Sequence, residues 1–175
     1  MQWTYTSCVP CRFFGAQKDA DDTKGIARTA LQICAAEIVL PGDLGEAAFV
    51  YKAMSLGLVV AKPYGNTHRY DFIVEGGSGL WRVQVKTCIC FLGGFYKVRI
   101  CCRKDGVEIP YNASEIDFVA AYIRPEQAWY VVPVREVVAR MGLGFRPKGF
   151  RGLDIYAQYR EAWHLLREPD GITFE

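Results

Sequence analysis

Asp71 and the triplet Gln84-x-Lys86 supply an acid, an amide and an amine at spacings that allow them to act together. Residues 69–75 and 80–87 read as two strands, and Gly76-Gly77-Ser78-Gly79 between them reads as a turn. Pairing Glu75 with Leu80 sets Asp71 opposite Gln84, with Lys86 on the same side one diagonal step away. Phe72, Val74, Trp81, Val83 and Val85 then form an apolar opposite face, as a core-facing surface requires. A carboxylate and carbonyl oxygens suit a hard cation such as Mg²⁺, which keeps several waters and needs only one or two protein carboxylates. The Gln84 amide oxygen and the Val85 backbone carbonyl complete such a set. Lys86 beside them can steer a water or stabilise charge developing on a phosphate. A cation there would lower the pKa of its water and polarise a phosphoryl oxygen, so the fitting substrate is a phosphodiester.

The elements that must position these groups follow from local signals. Residues 1–41 read as a partly ordered extension, with a helix over 24–40 stopped by Pro41-Gly42. The main domain spans 42–175. Asp43-Leu44-Gly45-Glu46 fits a capping box that opens a helix running to Ser55 or Leu56, where Gly57 ends it. A short strand over 58–61, the loop 63–68 and the hairpin come next. A turn at Gly93-Gly94 returns the chain as a strand over 96–102, and 106–114 reads as a connection. Strands over 116–123 and 129–134 precede helices over 134–141 and 154–167. Helix, mostly antiparallel strands, then helix indicates an α/β class with a mixed, α+β-type sheet flanked by helices.

At 175 residues and 51% hydrophobic, the chain has enough length to bury a real core. A net charge of +2 does not by itself indicate a polyanion partner, but its distribution is uneven. Arg82, Lys86, Lys97, Arg99, Arg103 and Lys104 fall in a stretch without an acid. Arg135, Arg140, Arg146, Lys148 and Arg151 are opposed only by Glu136. Such clusters supply a local footprint for nucleic acid, or else are solvated edges. Phe91, Phe95 and Tyr96 at the Gly93-Gly94 turn lie near Lys97 and Arg99, as a groove-entering hairpin tip or as ordinary packing. Seven cysteines without a secretory leader read as reduced thiols of a cytoplasmic protein, with Cys88, Cys90, Cys101 and Cys102 as core fillers rather than ligands. No run reaches membrane-spanning length, so no membrane partner is expected.

Gly45-Glu46 on a helix, Tyr70-Asp71-Phe72 on a strand and Val83-Gln84-Val85-Lys86-Thr87 on the next resemble the PD-(D/E)XK nuclease superfamily. They are most similar to the branch with glutamine at the second-acid position, which includes group I intron homing endonucleases and small uncharacterised endonuclease-like proteins. The stretches 116–122 and 129–134 resemble what these proteins place after the catalytic core. The resemblance covers about residues 43–134. It implies a restriction-endonuclease-like core with Asp71 as principal metal ligand and Gln84 at the second-acid position. Lys86 becomes the catalytic lysine, and Glu46 an upstream acid that holds metal or orients water. Tyr70 stands where a proline often precedes the aspartate.

The resemblance and the hairpin together imply a Mg²⁺-dependent DNA endonuclease, with Mn²⁺ able to substitute. Lys97, Arg99, Arg146, Lys148, Arg151 and His68 are candidate nucleic-acid contacts. The family leads us to expect double-stranded DNA as partner and a homodimer or homotetramer. Two other readings stay open: an inactive nuclease fold that binds nucleic acid, and a Holliday junction resolvase. Each residue also has a structural role open to it. Glu46 serves as a helix cap, Asp71 as a partner of Arg69 or Arg82, and Lys86 as a charge on a solvated sheet face. His68 serves as a surface loop residue, and Asp117 caps or pairs near a strand start.

Overall fold

Helix α1 runs from Val39 to Ser55 in the computed structural model, which describes residues 39–167 apart from 66, 78, 105 and 150–152. All of these fall in one compact unit, Glu37–Glu175. The expected helix over 24–40 and the loosely ordered extension lie almost wholly outside the described residues. Pro41-Gly42 does not separate two helices but falls in the first turn of α1. A first-turn N–H has no intrahelical acceptor, so proline costs little there. The capping box at Asp43 is therefore not formed, and Glu46 lies well inside the helix. Gly57 ends the helix as expected, with φ at 79°.

The central sheet holds β1 (Val59–Ala61), β2 (Phe72–Gly76), β3 (Gly79–Cys88), β8 (Phe118–Ile123) and β9 (Ala128–Pro133), in that order. The β2–β3 hairpin has the expected register, with Glu75 opposite Leu80 and Phe72 opposite Val83. Strands β3 and β8 are parallel, while the other neighbours are antiparallel. A parallel pair needs a long crossover, usually helical. Here the crossover is built from strands: β4 (Phe91–Leu92), β5 (Phe95–Arg99), β6 (Cys101–Lys104) and β7 (Val107–Pro110). The expected single strand over 96–102 is thus two strands in different sheets, and the expected connection over 106–114 contains β7.

Both faces of the sheet are buried. Phe49 of α1 packs against Phe72, Trp129 and Trp163, with ring centroids 5.3, 5.8 and 5.7 Å away. On the opposite face Val119, Ala121, Tyr130 and Val132 join Tyr96, Val98, Tyr111 and Phe145. This two-sided burial explains why β8 and β9 read as nearly continuous apolar runs.

Neither late helix forms. Val134–Glu136 is a single 3-10 turn, and Gly142–Phe145 becomes β10, paired with β5. The segment 154–167 holds only the 3-10 turns Ala157–Tyr159 and Trp163–Leu166. Glu161 between them has φ at 50°, and Arg160 bridges to Tyr130 as a strand partner would. Trp163 and Leu166 are buried under the sheet, so the helical spacing of apolar residues is used by two anchored turns instead. Among the described residues α1 is the single α-helix, set beside the mixed sheet that the α/β expectation called for.

Gly45 sets the distance between α1 and the end of β3. A methyl group there would overlap the Thr87 hydroxyl and sit 3.1 Å from Thr87 Cβ. Gly45→Ala should destabilise the fold by about 1–3 kcal/mol, as overpacking commonly does. Thr87→Ala in the same chain should recover part of that loss, measured by urea denaturation of the two singles and the double.

Candidate active site

The β2–β3 ladder ends at Phe72 opposite Val83, and Asp71 lies one residue beyond it. The Asp71 N–H still donates to the Val83 carbonyl at 2.9 Å. One step further, the Val85 N–H donates to the Asp71 carboxylate at 2.8 Å instead of to a strand carbonyl. The Gln84 amide NH₂ also donates to that carboxylate, and to the Val85 carbonyl at 3.2 Å. Gln84 is the buried polar side chain of the described core, 6% exposed. One backbone donor and one buried side-chain donor therefore hold the Asp71 carboxylate just beyond the end of the hairpin ladder.

Lys86 lies two residues past Gln84 with its ammonium 5.6 Å from the centre of the Tyr111 ring. Burial lowers its pKa below the ordinary lysine value, and the charge of Asp71 only partly opposes this. Burial likewise raises the Asp71 pKa, against the Val85 hydrogen bond and the charge of Lys86. An acid and a base whose charged forms both lose solvation stand close enough to influence one another. Such a pair beyond the end of a ladder marks a candidate functional site.

Glu46 reaches this end of the sheet from α1, and its charge acts on Asp71. It also receives Lys62, whose ammonium is 2.8 Å from its carboxylate. The ionic roles open to Asp71 are filled by other acids. Arg82 binds Asp117 through its side chain at 2.8 Å, and Arg69 lies 3.3 Å from Glu115. Asp117 is thus a pairing residue at the start of β8.

Asp71, Gln84, Val85, Lys86 and Glu46 are brought together, and the other candidates lie elsewhere. Lys97 and Arg99 are exposed on β5, whose Lys97 carbonyl accepts from the Cys88 thiol at 3.4 Å. Arg99 is ion-paired with Glu108. Lys148 binds Glu126 at 2.8 Å, and Arg146 lies over the Phe95 ring at 5.2 Å. These two line a cavity of about 300 Å³ with Phe91, Tyr96, Glu126 and Pro147. Burial acts to raise the Glu126 pKa, but the Lys148 and Tyr96 hydrogen bonds and the nearby positive charges together bring it below the ordinary value. His68 is exposed on its loop, 5.1 Å from the Tyr70 ring. Arg151 lies outside the described residues. Cys88, Cys101 and Cys102 are free thiols.

Lys62 and Tyr111 belong to this neighbourhood, and the sequence alone did not single them out. Lys62 follows an unremarkable edge strand, and Tyr111 lies 25 positions after Lys86 in a segment read as a connection. No local spacing marks either one.

The oxygens at this end of the sheet are hard donors, the Asp71 and Glu46 carboxylates and the Val85 carbonyl, while the Gln84 amide presents its NH₂ to them. Among the described residues no group of three His, Cys, Asp or Glu side chains could hold a metal. The set therefore fits an ion that keeps much of its water and takes one or two carboxylates, as Mg²⁺ does, better than a thiolate or imidazole metal.

The shift at Asp71 fixes a sign for stability. Its folded pKa lies above the ordinary 3.8, so between the two values the native chain keeps a proton that the unfolded chain has lost. Stability of metal-free protein should therefore fall as pH rises through that window. Denaturant titrations of wild type and Asp71→Asn across the acidic range should diverge there, with wild type losing ground as pH rises. Parallel curves would mean that the carboxylate is not strained by burial.

Residues 39–166 match the family model described as PD-(D/E)XK endonuclease. A solved structure of a bacterial homing endonuclease, I-Ssp6803I, is 29% identical, with a TM-score of 0.64. The match covers 73% of this chain and 90% of that one. No curated protein matches the chain. Among the described residues no helix is long and apolar enough to cross a membrane.

Proposed function

Since the chain belongs to the PD-(D/E)XK endonuclease family, we propose that it is a Mg²⁺-dependent endonuclease that hydrolyses phosphodiester bonds of double-stranded DNA. The observation that carries this reading is the convergence of Asp71, Gln84 and Lys86 at one ladder end, with the acid and amine both shifted by burial. Asp71 and Glu46 would hold the cation with the Val85 carbonyl, and the Gln84 amide would join them through its oxygen only after turning over, since its NH₂ now faces both Asp71 and Val85. When bound, the cation supplies an acidified water and a positive charge for a phosphoryl oxygen.

Lys86 orients the attacking water and stabilises charge on the phosphate as the bond to the leaving oxygen breaks. Its lowered pKa lets it exchange a proton more readily than a solvated lysine does. Tyr111 packs against the ammonium and keeps it on the substrate side of β3. The Val85 N–H holds Asp71 in place throughout, because the backbone of β3 is anchored in the sheet on its other side by β8. The similarity to a bacterial homing endonuclease supports DNA as substrate. A duplex has two antiparallel strands to cut, which favours a homodimer or homotetramer with paired sites.

Cleavage of supercoiled DNA with Mg²⁺ or Mn²⁺ tests the reading. Lys86→Ala should lower the rate by roughly 100-fold or more, in the range found for removing one charge-stabilising donor. Asp71→Ala should abolish metal dependence, while both variants still bind DNA. If wild type binds DNA but cuts no better than the two variants, the chain is a binding protein. The Gln84 NH₂ already bonded to Asp71 favours that second reading.

DNA contacts should follow the free charges. Lys97 has no ion pair among the described residues, whereas Arg99 is held by Glu108. Lys97→Ala should weaken binding and reduce the salt dependence by about one phosphate contact, and Arg99→Ala should do less. Fluorescence anisotropy over a salt series measures both.

A further inference from the structure

We propose that Lys62 is a latch on the cation site, an ammonium that occupies Glu46 until a divalent cation displaces it. The inference rests on the site proposed above and concerns how that site is filled. Lys62 follows β1, the edge strand paired with β2, so it stands level with the start of β2. From there its ammonium reaches Glu46 at 2.8 Å and lies 5.7 Å from the centre of the Phe72 ring, the neighbour of Asp71. The acids whose charges it feels are Glu46, Asp71 and Asp43.

A monovalent ammonium among these carboxylates occupies the electrostatic position that a divalent cation would take. Lys86 also feels Asp71 and Glu46, but its ammonium lies against Tyr111, whereas that of Lys62 is in direct contact with Glu46. The Lys62 side chain is 66% exposed, against 26% for Glu46, so the ammonium can swing into solvent while the acid stays in place. An exposed pair of this kind is weak enough for Mg²⁺ to break and strong enough to measure. Once released, Lys62 stands beside the loaded site with a free charge for a phosphate.

Titration calorimetry of DNA-free protein with MnCl₂ tests the latch without reference to cleavage. Lys62→Met should bind Mn²⁺ roughly two- to fivefold more tightly than wild type, the loss of one competing exposed ion pair. In a Glu46→Gln background the same change should have no effect. Unchanged or weaker binding by Lys62→Met overturns the latch, weaker binding meaning that Lys62 orders Glu46 for the metal. Equal tightening in the Glu46→Gln background overturns it too, since general repulsion would then be the cause. Asp71→Ala separates the two levels of inference. If Asp71→Ala loses Mn²⁺ while Lys62→Met matches wild type, only the latch fails. If wild type binds no Mn²⁺, or Asp71→Ala binds as wild type does, the cation site itself fails and the latch with it.

Discussion

The hydrogen bond from the Val85 N–H to the Asp71 carboxylate is the contact on which the rest of the site depends. An antiparallel ladder normally spends each inward N–H on a strand carbonyl. Here the ladder stops one residue early, and a side-chain oxygen takes the donor. This ties a carboxylate to the most rigid part of the molecule, because the same stretch of β3 pairs with β8 on its other side. The cost is a half-buried carboxylate whose charged form loses solvation. Proteins seldom keep such a group without using it.

The surrounding architecture serves that placement. Helix α1 approaches the end of β3 at Gly45, where no side chain keeps the two apart, and this brings Glu46 to Asp71. On the other side of the sheet the strand-built crossover delivers Tyr111 beneath Lys86. The acid thus comes from a helix over one face, and the amine rests on an aromatic ring over the other. Arg82 and Arg69, cations that could have neutralised Asp71, are held by Asp117 and Glu115. Those ion pairs direct both guanidinium groups to other carboxylates.

Much of this was legible without coordinates because hairpin geometry is local. Alternating apolar residues in 72–85 and the glycine turn admit one register, and a slip by one residue would move Asp71, Gln84 and Lys86 to the face that Phe72, Val83 and Val85 now occupy. The glycine stop of α1 was legible for the same reason, since it depends on a few consecutive residues. The late helices were misread because the pattern at 154–167 is compatible with two geometries. Burial of Trp163 and Leu166 against the sheet, with Glu161 in a left-handed conformation, selects 3-10 turns. The crossover was misread because Cys101–Lys104 and Val107–Pro110 are short and their pairing has weak local signals.

The sequence by itself determined the register of the central hairpin and therefore which face Asp71, Gln84 and Lys86 share, since strand periodicity and turn chemistry act over a few residues. Only the tertiary structure decided what surrounds them. Lys62 meets Glu46 across 16 positions, Tyr111 meets Lys86 across 25, and Arg82 finds Asp117 across 35. Contacts at such separations are set by how the layers pack, and packing is a property of the whole chain that no short window contains.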